Sequence, residues 1–362
     1  MTYVPYSPEV ETLQPNEQEQ IHKIVELMHA ANVKSFDRHR HAIRDAHAKG
    51  HGTVVGQLQI YPDLPPHLAQ GLFATPQTYP VVIRFSSAPG EIRDDSIPVP
   101  HGMAVKVIGV PGEKVLESQK HELTQDFLMV SQPVIPFGTV EKYLEMQTIL
   151  AMQEDAPEEA QRALAALARG TNKVLEFLGL QNPLVQNVAA PNEHLLGQTY
   201  HTMAALRYGD YIAKLSAAPL SPEVRALTGQ VVDANKNPSL HRDLLVDFFR
   251  EHGAEYELRA QLCVDLEQMP VEDASVLWDE ALSPHQPIAK LVIPPQEAYS
   301  PARRVFSEDK LSFNPWHCLP EHRPLGSIMR VRIPAYEMSS RFRHEMNVQP
   351  RVEPKSIAEI PD

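Results

Sequence analysis

Four histidines lie close together early in the chain, and this residue type can bind a metal or move a proton. A zinc site is one interpretation, but no cysteine lies nearby and the segment has no His-Glu-x-x-His pattern. His47 stands apart because Arg44 precedes it and the run Ala-Lys-Gly-His-Gly follows it, with glycines that allow close main-chain packing. We therefore treat His47 separately from the other three. We expect solvated or hydrogen-bonded side chains for the other three, His39, His41 and His51.

A second segment combines residue types that could build one site with His47. The run Val-Ile-Arg-Phe-Ser-Ser carries Arg84 and Ser86 on a predicted strand. A further predicted strand follows, in which Lys106 lies, and Gly102 immediately precedes it. A serine hydroxyl such as that of Ser86 can hydrogen-bond an imidazole and fix its tautomer.

Tyr336 lies among arginines, four residues after Arg332 and seven before Arg343, with Arg341 between them. A free phenol has a pKa of about 10, so it is a poor metal ligand until it loses its proton, which a nearby guanidinium favours. Pro334 is typical of a first helical turn, which predicts that Tyr336 lies near a helix N-terminus and shares a face with Arg343. Taken alone, Tyr336 is more typical of a packing side chain, and the other two segments decide its interpretation.

In this order and spacing the three segments resemble those of the haem catalases, in outline over residues 40–345. The resemblance implies an α+β catalase-like fold, an eight-stranded antiparallel β-barrel with surrounding helices and a buried haem b with ferric iron. It implies that His47 is the distal acid–base residue, that Ser86 hydrogen-bonds it, and that Tyr336 is the axial ligand of the haem iron. Arg332 would favour the tyrosinate. The arginines that would neutralise the haem propionates are Arg44, Arg84 and Arg343.

One stretch departs from the catalase pattern. Catalases pair the distal histidine with an asparagine, whereas the stretch around Thr124 contains none, so Gln125 or Thr124 would occupy that neighbourhood. Asp126 is interpreted as structural. A changed amide disfavours dismutation of hydrogen peroxide, while the apolar residues that follow suit a bulkier organic hydroperoxide. The sequence is also shorter than a catalase, and in this it resembles small catalase-related peroxidases and enzymes that convert fatty-acid hydroperoxides.

Periodicity predicts the elements that must position these residues. A helix is expected after Asn16, which makes residues 1–35 an arm and a helix; its apolar stripe would be Ile21, Ile24, Val25 and Met28. Eight β-rich runs fit an antiparallel barrel: residues 53–61, 81–86, 103–110, 126–130, 200–208, 211–216, 256–266 and 288–294. Further helices are predicted over residues 157–170, 221–229 and 239–253, and from Pro334 onward. No internal boundary is indicated, so residues 1–362 are predicted to form one domain.

Composition limits the partners and the compartment. The net charge of -13 argues against nucleic acid and anionic membranes as partners. The first residues are polar and acidic, no apolar segment is long enough to span a membrane, and Cys263 and Cys318 do not form a disulfide framework. We therefore expect a cytoplasmic protein with two reduced, buried thiols.

These observations predict a haem-dependent oxidoreductase that acts on hydrogen peroxide or organic hydroperoxides, peroxidase-like and with weak catalase activity. Its expected partners are a small-molecule peroxide or lipid hydroperoxide, an unidentified electron donor, and further copies of the chain in a homo-oligomer. One alternative is a fatty-acid hydroperoxide isomerase or lyase, which needs no external donor. Another is a non-catalytic haem carrier or sensor, which the presence of both His47 and Arg332 disfavours.

Overall fold

The computed structural model describes residues 2–154 and 191–362. Within these ranges one antiparallel sheet contains nine strands: β1 (Lys49–Ile60), β2 (Thr78–Ser87), β3 (His101–Ile108), β4 (Thr124–Val130), β5 (Tyr200–His201), β6 (Leu206–Tyr208), β7 (Tyr211–Pro219), β8 (Ala254–Leu262) and β9 (Gln286–Ile293). Their spatial order is β5-β4-β3-β2-β1-β9-β8-β7, and β7 also pairs with β5. This pairing closes an eight-stranded barrel, as the sequence predicts, and leaves β6 paired with β7 outside the ring.

Each predicted β-rich run contributes one strand of the barrel, except that the fifth run is divided. Residues 200–208 form β5 and β6 rather than one strand. Met203 between them has a φ of 63°, in the left-handed region, which is incompatible with a continuous extended strand. The β5 strand is therefore only two residues long.

Because β5 is short, few residue pairs close the barrel at this strand. It pairs with β4 at one position, Val130 with His201, and with β7 at two positions. In contrast, ten residues of β1 pair with β2. We call the β4–β5–β7 junction the barrel seam.

The two faces of the sheet have different roles. In β2, Ile83 and Phe85 belong to the apolar core of the barrel. Because successive side chains of a strand point to opposite faces, Arg84 and Ser86 lie on the outer face. The same alternation places Gly102 of β3 on the outer face and Met103 in the core. The polar residues that sequence reasoning selected thus share one outer surface.

Six α-helices surround the barrel in the described part of the chain: α1 (Glu17–His39), α2 (Val140–Glu154), α3 (Pro222–Arg225), α4 (Leu240–Glu251), α5 (Pro301–Val305) and α6 (Ser327–Met346). Helix α1 packs against α2 and α6. Their contact is apolar, with Ile24 fully buried against Val331 and Met338. Arg330 of α6 adds an ion pair with Glu17 at the start of α1, 2.5 Å between Nε and Oε1.

The prediction that the last helix begins near Pro334 is wrong. Helix α6 begins seven residues earlier, at Ser327, where the main-chain amide donates to Glu272 Oε2 at 2.8 Å. Gly326, with a φ of 93°, sets the turn into the helix. Pro334 therefore lies inside the helix, where it removes one main-chain hydrogen bond, and Tyr336 lies near the middle of the helix rather than at its N-terminus.

The remaining helix predictions hold in part. Asn16 precedes α1, but its side chain does not cap the helix because its main chain is left-handed, with a φ of 61°. The helix predicted over residues 221–229 is reduced to α3, and α4 matches the helix predicted over residues 239–253. The helix predicted over residues 157–170 lies outside the described residues.

Two other expectations can be compared with the structure. Both cysteines, Cys263 and Cys318, are free and buried, as predicted. None of the helices in the described ranges is long and apolar enough to cross a membrane.

Candidate active site

A cavity of about 440 Å³ lies between the outer face of strands β2 to β4 and helix α6. Seven of the nine predicted site residues line it: Arg44, His47, Arg84, Ser86, Arg332, Tyr336 and Arg343. Three of these come from α6, where their spacing of four and seven residues places them on one helix face. The sheet and the helix thus bring together residues that are up to 299 positions apart, from Arg44 to Arg343.

His47 is held in an uncommon main-chain conformation with a φ of 54°. Its main-chain amide donates to Ala88 O at 2.9 Å, and its carbonyl accepts from Arg84 Nη2 at 2.9 Å. Its ring nitrogen Nδ1 lies 3.0 Å from Ser86 Oγ, which is the hydrogen bond that the sequence predicts. These contacts fix both the main chain and the ring. Because Nδ1 is engaged by Ser86, Nε2 is the ring nitrogen that can exchange a proton with a ligand.

Electrostatics keep the His47 ring neutral. Burial lowers the pKa of His47 to about 3, and repulsion from Arg84 and Arg332 acts in the same direction. At neutral pH the imidazole is therefore unprotonated on one nitrogen. A neutral imidazole whose Nδ1 is engaged by a hydroxyl can accept a proton at Nε2.

The His47 ring packs directly on the main chain of Gly102. A Cβ atom at position 102 would lie 2.5 Å from His47 Nδ1 and 2.8 Å from Ser86 Oγ, both closer than side chains tolerate. The ring therefore rests on the bare main chain of β3. Gly102 is thus a site residue whose role could not be deduced from its position in the sequence.

Tyr336 lies across the cavity from the sheet, on α6. Burial raises the pKa of the Tyr336 phenol, Arg332 opposes that effect, and the Asp45 carboxyl adds to it. The guanidinium thus acts in the predicted direction but does not outweigh burial. The phenol is therefore protonated at neutral pH, and a cation bound at its oxygen would favour the tyrosinate.

Three arginines gather at one part of the cavity wall around residues 306–312, a segment that begins with a π-helix over Phe306–Lys310. Arg84 forms two parallel bonds to the Glu308 carboxylate, Nε to Oε1 at 2.9 Å and Nη2 to Oε2 at 2.8 Å. Arg44 also donates to Glu308 Oε2, and Arg343 donates to the Glu308 main-chain oxygen. The three guanidiniums and one carboxylate leave a net charge of about +2 beside the cavity.

The structure does not bring Thr124 or Gln125 into the cavity. Gln125 is fully buried, and its Oε1 accepts from Leu319 N at 3.1 Å. Thr124 Oγ1 lies 2.7 Å from His317 Nε2. Asp126 does line the cavity and pairs with the fully buried Lys106 at 2.7 Å, which agrees with a structural role.

Sequence reasoning missed three groups of the site. Gln119 and Asn314 carry the two amide side chains that line the cavity in the described ranges, and neither belongs to the stretch around Thr124 where the resemblance places the distal amide. Their side-chain oxygens are engaged, Gln119 Oε1 by His317 Nδ1 and Asn314 Oδ1 by the Trp316 amide. Glu308 was missed because it is 224 positions from Arg84 and no motif marks it.

Comparison with known proteins supports the fold. No family model matches the sequence, and no curated protein matches it. Among solved structures, a fungal catalase has a TM-score of 0.59 and 17% identity over 89% of this chain and 65% of its own. Catalase A from Saccharomyces cerevisiae has a TM-score of 0.60 and 14% identity over 87% of this chain and 65% of its own. A bacterial catalase has a TM-score of 0.60 and 16% identity over 98% of this chain and 66% of its own.

These observations show that the chain has the catalase-like fold. The chain spans about two thirds of the length of the catalases it matches. At identities of 14–17% the likeness shows the fold, and the site must be judged on its own residues.

The residues at the cavity fit a haem group. Tyr336 offers an oxygen ligand from α6, and His47 lies on the sheet side. Each of the three arginines around Glu308 uses three of its five N–H groups on described residues and keeps two. A ligand with two carboxylates would match both these free donors and the net charge of about +2.

Proposed function

We propose that this chain is a haem-dependent oxidoreductase that acts on hydrogen peroxide or organic hydroperoxides. The observation that carries the proposal is the placement of a neutral, fixed His47 and of Tyr336 on facing walls of one cavity in a catalase-like fold. Tyr336 would ligate the haem iron, and Arg44, Arg84 and Arg343 would hold the propionates. The haem, when bound, would supply the redox chemistry of the iron.

His47 would manage the protons. Its Nε2 could accept a proton from one peroxide oxygen and return it to the other, which would make that second oxygen a better leaving group. The hydrogen bond to Ser86 holds the ring during this transfer, and Gly102 sets its distance from the sheet. General acid–base help of this kind typically contributes about 10²–10⁴ in rate.

The cavity lining favours a peroxidase over a dismutase. Its walls contain Leu116, Leu128, Val130, Met203 and Ile333, all apolar. The stretch around Thr124 lacks the catalase asparagine, and the side-chain oxygens of the two amides that line the cavity are engaged by protein groups. This supports weak oxygen evolution and a measurable turnover with an organic donor or hydroperoxide.

The direct test is spectroscopic and kinetic. The protein is reconstituted with haem, its visible spectrum is recorded, and its reaction with hydrogen peroxide and with an alkyl hydroperoxide is followed by stopped flow. His47→Ala should retain the haem spectrum and lose about 10²–10⁴ in the rate of peroxide cleavage. A wild-type protein without a haem spectrum, or a variant that is as fast as wild type, would refute the proposal.

The same apolar walls favour a second candidate, an isomerase or lyase of lipid hydroperoxides. The two activities differ in their need for a reductant. A fatty-acid hydroperoxide incubated without a donor should give rearranged products in one case and no sustained turnover in the other. A homo-oligomeric assembly and an unidentified electron donor remain part of the peroxidase proposal, and light scattering at micromolar concentration tests the assembly.

A further inference from the structure

We infer that Glu308 is a positioning residue that aims the guanidiniums of Arg84 and Arg44 at a ligand with two carboxylates. The inference rests on the proposed function, since haem is the ligand considered. Glu308 does not line the cavity, whereas all three arginines around it do. The carboxylate therefore holds the arginines from behind and leaves the cavity side to the ligand.

The geometry is that of a fixed clamp. The two parallel bonds between Arg84 and Glu308 set the plane of the Arg84 guanidinium, because both partners are planar and matched in spacing. Arg44 shares the same Oε2 atom and is further held by the carbonyls of Ser307 and Leu311 at 2.7 and 2.8 Å. Neither guanidinium can turn without breaking several bonds.

The clamp also reaches His47. The Nη2 atom of Arg84 that bonds Glu308 also donates to the His47 main-chain oxygen at 2.9 Å. Glu308 thus supports the left-handed main chain of His47 through Arg84. One carboxylate therefore connects the expected anion-binding part of the cavity with the expected acid–base residue.

Position 50 in β1 is adapted to this arrangement. A Cβ atom at Gly50 would lie 2.3 Å from Glu308 Oε1 and 3.1 Å from Arg84 Nη2. The absence of a side chain at Gly50 is what lets the carboxylate approach Arg84 edge-on. A variant at this position can displace Glu308 without removing its charge.

A role of Glu308 in reducing positive charge and a role in positioning the arginines predict opposite effects on haem binding when its carboxylate is neutralised. If Glu308 served only to reduce the positive charge, its neutralisation would tighten the binding of an anionic ligand. If it positions the arginines, Glu308→Gln weakens binding, because an amide presents an N–H to one of the guanidinium N–H groups. Loss of aligned bonds to charged groups is expected to weaken binding about 10- to 100-fold.

The experiment titrates haem and haem dimethyl ester into the haem-free protein by absorbance and compares wild type with Glu308→Gln and Gly50→Ala. Both variants should bind haem about 10- to 100-fold more weakly, with a smaller preference for haem over its ester. The matched control is Glu122→Gln, since Glu122 forms the same two-bond pair with Arg351, 2.8 Å for each bond, at another part of the cavity wall. That variant should keep the wild-type preference for haem over the ester.

Circular dichroism confirms that each haem-free variant is folded before titration. The inference is overturned if Glu308→Gln binds haem as tightly as wild type or more tightly, or if Gly50→Ala keeps the full preference for haem. A wild-type protein that binds neither haem nor the ester would instead refute the proposed function, so the two failures are distinct.

Discussion

The packing of the His47 ring on Gly102 offers the sharpest test of the proposed chemistry. In Gly102→Ala the new methyl group would start 2.5 Å from His47 Nδ1 and 2.6 Å from Cε1, whereas ordinary contacts begin near 3.4 Å. The ring must therefore move by about 1 Å, and a displacement of this size at a reacting group can cost about 10²-fold in rate. The displaced ring would also lose its hydrogen bond to Ser86. The overpacking itself should cost about 1–3 kcal/mol of stability.

The assay is the single-turnover reaction of the haem-loaded protein with peroxide, followed by stopped flow at equal haem content. Gly102→Ala should react about 10²-fold more slowly than wild type. In a His47→Ala background the same change should add little, because the two substitutions remove one function. Gly56→Ala, whose methyl would lie 2.5 Å from Val292 O in the barrel wall, is the control for lost stability and should keep the wild-type rate. A Gly102→Ala protein that reacts within twofold of wild type would show that the position of the His47 ring does not depend on Gly102.

Three further predictions concern the opposite wall, the distal amide and pH. Tyr336→Phe should abolish tyrosinate charge-transfer bands and cause haem loss, and an unchanged ferric spectrum would contradict the assignment. Gln125→Asn and Thr124→Asn should leave oxygen evolution unchanged, because neither side chain lines the cavity; a several-fold rise in either variant would contradict this placement. The buried histidines whose pKa is lowered should leave the unfolding free energy unaffected above about pH 6.5 and reduce it below that pH, by up to about 1.4 kcal/mol per pH unit for each; urea unfolding at pH 7 and pH 5 tests this, and equal values would contradict it. The sign follows because protons bind the unfolded chain more tightly than the folded one, and the histidines concerned, with burial as the main cause, include His51, His101 and His241.

The sequence predicted the barrel well because alternating apolar strands and their turn residues are local signals. The division of residues 200–208 into two strands could not be foreseen, because it depends on the left-handed main chain of Met203. The start of α6 was misplaced because Pro334 is a local signal for a first turn, whereas Glu272, distant in sequence, holds the true start at Ser327. Tertiary contacts thus overrode the local preference.

The site was predictable to the extent that its residues lie in three short segments with a family resemblance. His47, Ser86 and Tyr336 were found in this way, and all three line the cavity. Glu308 and Gly102 were not assigned roles, because those roles exist only once the sheet and the segment over residues 306–312 are assembled. Thr124 and Gln125 were selected because they lie in the stretch where catalases carry the distal asparagine. Both side chains are engaged elsewhere, at His317 and at the Leu319 amide.

The barrel seam has a consequence for motion. Local opening begins where the fewest cooperative contacts must break, and at the seam a single register position joins β4 to β5. We therefore expect the amides of β5 to exchange with deuterium before those of β1 and β2. Val130, the β4 residue at that position, also lines the cavity and pairs with Gly102 of β3. Each opening of the seam would expose the edge of β4, the strand next to the one on which His47 packs.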